Sequence, residues 1–202
     1  MIKMPVYARG VISDLFRNIV DKQLFAMDVS NEFLTLASPL TVLDNWAKEP
    51  DACWSPESTG DLTVVLEVGA SLESAARLAI DAKTWLESPG TTVKACITID
   101  LSGANNITID VYTISTRNRL SRAIQAQHAE IVNSSKMGPK IYGWATNENT
   151  DSSPTDEIRL DFAMFVGRPA TTAREKDIII DRNLLIQFAN RFWYHQGRPR
   201  QG

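Results

Sequence analysis

The 202-residue chain predicts an α/β fold, a mixed β-sheet flanked by helices. Three observations carry that expectation. Apolar residues recur at helical spacing near the start, at Ile12, Leu15, Phe16, Ile19 and Val20. The run Leu62 to Val68 (LTVVLEV) is β-branched and almost wholly apolar, the composition of a central strand covered on both faces. Residues 72–87 then return to helical spacing, so strand and helix alternate.

The elements follow in order. The first helix spans 9–26. In Asp28 to Ser38 (DVSNEFLTLAS), β-type alternation develops near the end and Pro39 stops it. A second apolar segment runs from Leu40 to Trp46, and Glu49 to Trp54 reads as a short strand entered from a Pro turn. Residues 55–61 (SPESTGD) have loop composition. After Leu62–Val68, Gly69 ends the strand, Ser71 stands where an N-cap belongs, and Ser88-Pro89-Gly90 closes the helix. Val93 to Leu101 and Asn106 to Ile114 read as strands that can pair as a hairpin. Residues 117–130 read as helical, with Arg117, Arg119 and Arg122 making a small basic spot. A polar loop at 146–156 precedes strands at Glu157–Val166 and Asp177–Asp181 and a helix at Leu184–Tyr194. One domain over 1–202 accounts for this order, with its core in about 9–115 and the last strands and helix in 140–195.

Composition narrows the class. Hydrophobic residues make up 44% and charged residues 22%, an ordinary globular balance. No apolar run approaches the ~20 residues of a membrane span. The opening MIKMPVYARG lacks an apolar signal core, so the expectation is an intracellular protein of cytoplasm or nucleus with no membrane partner. Cys53 and Cys96 form no CxxC and read as reduced, core-filling thiols. A net charge of −3 argues against avid nonspecific binding to nucleic acid but allows a locally basic cleft.

Chemistry concentrates around one carboxylate. Glu67 sits among Val64, Val65, Leu66 and Val68 on the buried strand, where its charge is costly without a cation, a metal or hydrogen-bond donors. On a helical wheel of the following helix, Lys83 falls about 20° from Leu72, between Ala76 and Ala79, and so points toward the sheet. Asp51 follows Pro50 at the start of its strand; if the two strands are neighbours, both carboxylates reach one point. Two carboxylates and a strand carbonyl make a hard oxygen site suited to Mg²⁺ or Mn²⁺. A lysine beside them orients water or stabilises charge developing on phosphorus.

Pro50-Asp51, a spacer, Glu67-Val68-Gly69 and then a helix bearing Lys83 resemble the PD-(D/E)XK nuclease superfamily. The stretches EPDACW, VVLEVGASLES, LAIDAKTWL and DIIID are similar to those of restriction-endonuclease-like proteins of fungi. The resemblance covers residues 40–115 best and the late strands more loosely. It implies a restriction-endonuclease-like α-β-β-β-α-β core and metal-dependent hydrolysis of phosphodiester bonds, in DNA by preference, with RNA as the other substrate. Asp51 and Glu67 would hold Mg²⁺ (or Mn²⁺), and Asp51, Glu67 and Lys83 would be the catalytic set. The third motif position is Gly69 in place of lysine, which the superfamily sometimes supplies from the next helix, as Lys83 would here. Homodimers are common in such nucleases, and 157–166 is the candidate edge.

Blander readings stand beside these. Glu67 and Lys83 form a buried ion pair in one, and Asp51 is a turn residue. The chain is then a catalytically inactive nuclease-fold interaction module, a domesticated mobile-element or host-factor protein. Glu73 suits helix capping and Arg77 a solvated face. His128 and His195 are isolated, no HExxH or GxSxG occurs, and GASLES lacks the lysine and glycine spacing of a phosphate loop. Trp46, Trp54, Trp85, Trp144 and Trp193 are scattered among apolar segments and read as core or interface.

Overall fold

The computed structural model describes residues 6–43, 46–69, 75–101, 106–115, 123–134, 138–146 and 157–196. The first element is α1 (Val6–Ala26), which turns Ala8, Ile12, Phe16, Val20 and Leu24 inward at successive steps of four. Next come β1 (Phe33–Leu36), β2 (Thr41–Leu43), β3 (Trp46–Lys48), β4 (Ala52–Pro56) and β5 (Val64–Gly69). Then follow α2 (Ala75–Glu87), β6 (Ala95–Asp100), β7 (Asn106–Ser115), β8 (Ala123–Ser134) and β9 (Gly138–Thr146). The chain closes with β10 (Ile158–Leu160), α3 (Phe162–Val166), β11 (Ile178–Ile180) and α4 (Arg182–His195).

Seven of the described strands form one mixed sheet in the order β1-β4-β5-β6-β7-β8-β9. Only β5 and β6 run parallel, and α2 is the crossover between them. β2–β3 and β10–β11 are separate antiparallel ribbons. The sheet is covered on both sides, and β5 shows how. Val64, Leu66 and Val68 join the core that holds α1, α3 and α4, whereas Val65 joins a smaller core with Ala82, Trp85 and Leu86 of α2. Period-two alternation therefore assigns Glu67 to the α2 side. The all-buried pattern of β5 agrees with the central, two-sided strand that LTVVLEV predicts. Cys53 and Cys96 are both free and buried in the α2-side core, and burial pushes the Cys53 thiol up to about 12.

Polar pins register the layers. Trp54 Nε1 and Thr35 Oγ1 both donate to Oδ1 of Asp21, at 2.8 and 2.9 Å, tying α1 to β4 and β1. Burial raises the Asp21 carboxyl above the usual range against the pull of these two donors. The Arg168 guanidinium reaches Glu32 through Nε and Nη2, each at 2.7 Å, and Glu175 through Nη1 at 2.9 Å. That fork locks the loop after α3 against the approach to β1.

The structure corrects several expectations. The segment 117–130 is not helical where described: β8 takes up 123–134 and pairs with β7 from Asn106↔Val132 to Ser115↔Ala123. AIQAQHAEIV supports either period, and a long antiparallel partner decides for strand. The segment β9, GPKIYGWAT, adds a strand where none was expected, and its aromatic and β-branched residues are the signal. Residues 157–166 divide into β10 and the one-turn α3, because Asp161 caps the Ala163 N–H and Gly167 adopts φ 80° at the far end. β4 runs through Ser55 and Pro56, which composition assigns to a loop. Leu40–Trp46 is not one segment but parts of two strands, β2 and β3. Ser71, Leu72, Glu73, the spot at Arg117, Arg119 and Arg122, and most of 146–156 lie outside the described residues, as do the side chains of His128 and Trp144. Among the described residues, no helix is long and apolar enough to cross a membrane.

Candidate active site

Asp51 stands one residue beyond the last β4–β5 ladder pair, Ala52 with Leu66, on the side facing Glu67. Pro50 ends the preceding segment and Asp51 N–H donates to Leu66 O at 2.9 Å, so the backbone still follows β5. Its carboxylate does the work of a missing strand carbonyl, Oδ2 accepting Val68 N–H at 2.7 Å. The same oxygen receives Arg9 Nη2 from α1 at 3.1 Å, and Ser13 Oγ donates to Asp51 O at 3.2 Å. Asp51 thus lies in the plane of the sheet and leans toward α1.

Glu67 approaches from the α2 side. It is 3% exposed. Its Oε1 accepts Trp85 Nε1 at 2.6 Å and lies 3.0 Å from Lys48 Nζ. Lys48 Nζ is also 3.0 Å from Asp81 Oδ2, so one ammonium bridges a strand carboxylate and a helix carboxylate. The ammonium is itself buried, held between these two carboxylates. The hairpin β2–β3 delivers this lysine: period two puts Trp46 and Lys48 on one face, and Trp46 packs edge-on against Trp85 with ring centroids 4.9 Å apart. Burial pushes the Glu67 carboxyl above the usual range; Lys48 and the Trp85 indole oppose the rise, and the Asp51 charge adds to it.

Lys83 is a correction. Its side chain is 64% exposed and meets Glu87 at 3.7 Å, one turn on, rather than Glu67. The buried face of α2 is Leu78, Ala82, Trp85 and Leu86, while Ala75, Ala76 and Ile80 are exposed. Counting Ala75, Ala76 and Ile80 as core turns the apolar face of the wheel toward Lys83. The expected Glu67–Lys83 pair is replaced by Glu67–Lys48. Arg77 is on the solvated face as expected, 66% exposed and 3.5 Å from Asp81.

Gly69 has a packing reason. A Cβ there would stand 2.8 Å from Leu78 Cδ1, so α2 packs closely over the end of the strand. A side chain at 69 displaces a buried leucine.

Both candidate ligand carboxylates keep an oxygen. Among the described residues, Asp51 Oδ1 and Glu67 Oε2 receive no hydrogen bond. Two carboxylates fit the habit of Mg²⁺, which retains several waters and takes one or two protein carboxylates with substrate phosphate. Among the described residues, no three His, Cys, Asp or Glu converge as a fuller cage. Asp51 thus pairs with Arg9 on the α1 side and Glu67 with Lys48 on the α2 side.

Sequence reasoning singled out Asp51 and Glu67 but missed Lys48, Arg9, Asp81 and Trp85. Lys48 carried a readable signal: in Trp46-Ala47-Lys48 it shares a strand face with a tryptophan, three residues before Asp51. No protein-family model matches the chain, and no curated protein matches it.

Proposed function

We propose that the protein is a metal-dependent nuclease of the restriction-endonuclease-like type, acting on phosphodiester bonds of nucleic acid, with DNA the first substrate to test. The observation that carries this reading is that Asp51 stands one residue beyond the last β4–β5 pair, at the strand end that bears Glu67, with Lys48 3.0 Å from Glu67. With the separate β2–β3 ribbon set aside, the order α1, β1, β4, β5, α2, β6 supports it, since it follows the α-β-β-β-α-β order of that superfamily. Asp51 and Glu67 would hold Mg²⁺ or Mn²⁺, which would supply Lewis acidity and a more acidic water. Val68 N–H orients the Asp51 carboxylate, Trp85 N–H orients that of Glu67, and Lys48, 3.0 Å from Glu67, is the cation proposed to offset charge at the site. Lys48 takes the role that spacing assigned to Lys83.

One observation favours the second reading, an inactive nuclease-fold interaction module. Arg9 and Lys48 already neutralise Asp51 and Glu67, and Glu67 is almost wholly enclosed. The two readings part in a cleavage assay on single- and double-stranded DNA and RNA with Mg²⁺ or Mn²⁺. The nuclease reading expects cleavage that excess chelator abolishes and added metal restores. Cleavage that survives the chelator, or none on any substrate with either metal, contradicts it.

A further inference from the structure

Arg9 belongs to α1, and among the described residues its guanidinium is the one side chain that hydrogen-bonds and ion-pairs with the Asp51 carboxylate. Ser13, one turn on, holds the Asp51 backbone carbonyl, so a single helix face grips both ends of the residue. The guanidinium is under-used. Of its five N–H donors, the Nη2 group bonds Asp51, while Nε is buried with no hydrogen-bond partner. The side chain remains 37% exposed, which gives the fork room to turn.

A divalent cation on Asp51 changes the balance. It brings two positive charges within a few ångströms of the guanidinium, and like charges at that distance repel. A guanidinium displaced by a metal that also takes substrate phosphate has a second partner, because its planar fork matches phosphate oxygens two at a time.

We infer that Arg9 is an internal stand-in for the metal ion. It neutralises Asp51 in the metal-free protein, and when a divalent cation takes Asp51 it turns its fork to a phosphate of the nucleic-acid strand. The inference rests on the proposed metal site. It makes Arg9 a competitor of the metal and a partner of the substrate, two effects of opposite sign that a merely structural ion pair does not produce.

The test uses the full chain with Arg9→Met, which keeps much of the stem and removes the charge, and Arg9→Lys, which keeps the charge and loses the fork. Mn²⁺ affinity is read from the free-ion electron paramagnetic resonance signal. Affinity for fluorescent single- and double-stranded DNA oligonucleotides is read in Ca²⁺. Arg9→Met is expected to bind Mn²⁺ roughly three- to tenfold more tightly and the oligonucleotide roughly tenfold more weakly. Arg9→Lys should keep the wild-type Mn²⁺ affinity and still lose oligonucleotide affinity, and it serves if Arg9→Met does not fold. Mn²⁺ affinity that Asp51→Asn abolishes but Arg9→Met leaves unchanged overturns the role of Arg9 and spares the site. Tighter Mn²⁺ binding without weaker oligonucleotide binding also overturns it. A wild type that binds no Mn²⁺, or binds it as well with Asp51→Asn, overturns the site and the role of Arg9 together.

Discussion

At the scale of single residues, the decisive group is Glu67. Its charge is buried and answered from one side by Lys48 and from the other by the Trp85 indole. Removing Lys48 leaves that charge uncompensated. Lys48→Met should cost about 3 kcal/mol, the lower end for one-sided removal of a buried pair, because Glu67 can take up a proton. The double change with Glu67→Gln should recover most of the loss in denaturant midpoints. Lys83→Met should stay within about 0.5 kcal/mol of the wild type, since an exposed i,i+4 pair contributes little. A large loss from Lys83→Met, or none from Lys48→Met, would reverse the assignment of the inward cation. Asp51 and Glu67 were legible because a carboxylate in an apolar strand and a Pro-Asp strand entry are local signals. Lys48 was only half legible: period two places it on the face of Trp46, but its approach to Glu67 depends on a hairpin folding back over α2, a tertiary fact.

Among the elements, the crossing of α2 over β5 decides most. Gly69 lets the helix approach, and Gly69→Ala places a methyl 2.8 Å from Leu78 Cδ1. The expected cost is about 1–2 kcal/mol, the range for overpacking a filled core; an unchanged denaturant midpoint would show that Leu78 moves freely. The start of α4 offers an independent check. Asp181 accepts Leu184 N–H at 2.9 Å as N-cap, and Asp181→Ala should cost about 1 kcal/mol. α1, β5, β6, β7, β11 and α4 were legible because each carries an unbroken period and a clear stop. β8 and α3 were not. β8 owes its strand to the ten-pair register with β7, and α3 owes its single turn to the caps Asp161 and Gly167 rather than to any periodicity.

For the whole molecule, acid titration sets raised carboxyls against a lowered one. Glu67 and Asp21 hold their protons more tightly in the folded chain, chiefly through burial. For such groups stability is fully present below the unfolded value and falls as pH rises through the folded one. Glu175 is the opposite case: Arg168, then the Thr171 N–H, hold it down at about 2. Its contribution is present above the ordinary glutamate range and is lost as pH falls toward about 2. Glu67→Gln imitates the protonated side chain, so its stability relative to wild type should improve as pH rises from the acid limb to neutrality. Paired denaturant midpoints across that window check this, and a difference that does not change with pH would mean that Glu67 titrates as an exposed glutamate does. Because metal binding needs the ionised carboxylate, the same rise should make metal affinity fall earlier on acidification than at an ordinary glutamate site.

The central claim is that Asp51 and Glu67 form a metal-dependent hydrolytic site, and the cleavage rate of Asp51→Asn tests it most directly. Asparagine keeps an oxygen for Val68 N–H and removes the charge, so the local strand geometry is retained. Single-turnover cleavage of DNA in Mn²⁺ should fall roughly a hundredfold or more in Asp51→Asn, while Lys83→Met keeps the wild-type rate. Equal rates for Asp51→Asn and wild type, in a preparation whose cleavage depends on the metal, would contradict the account.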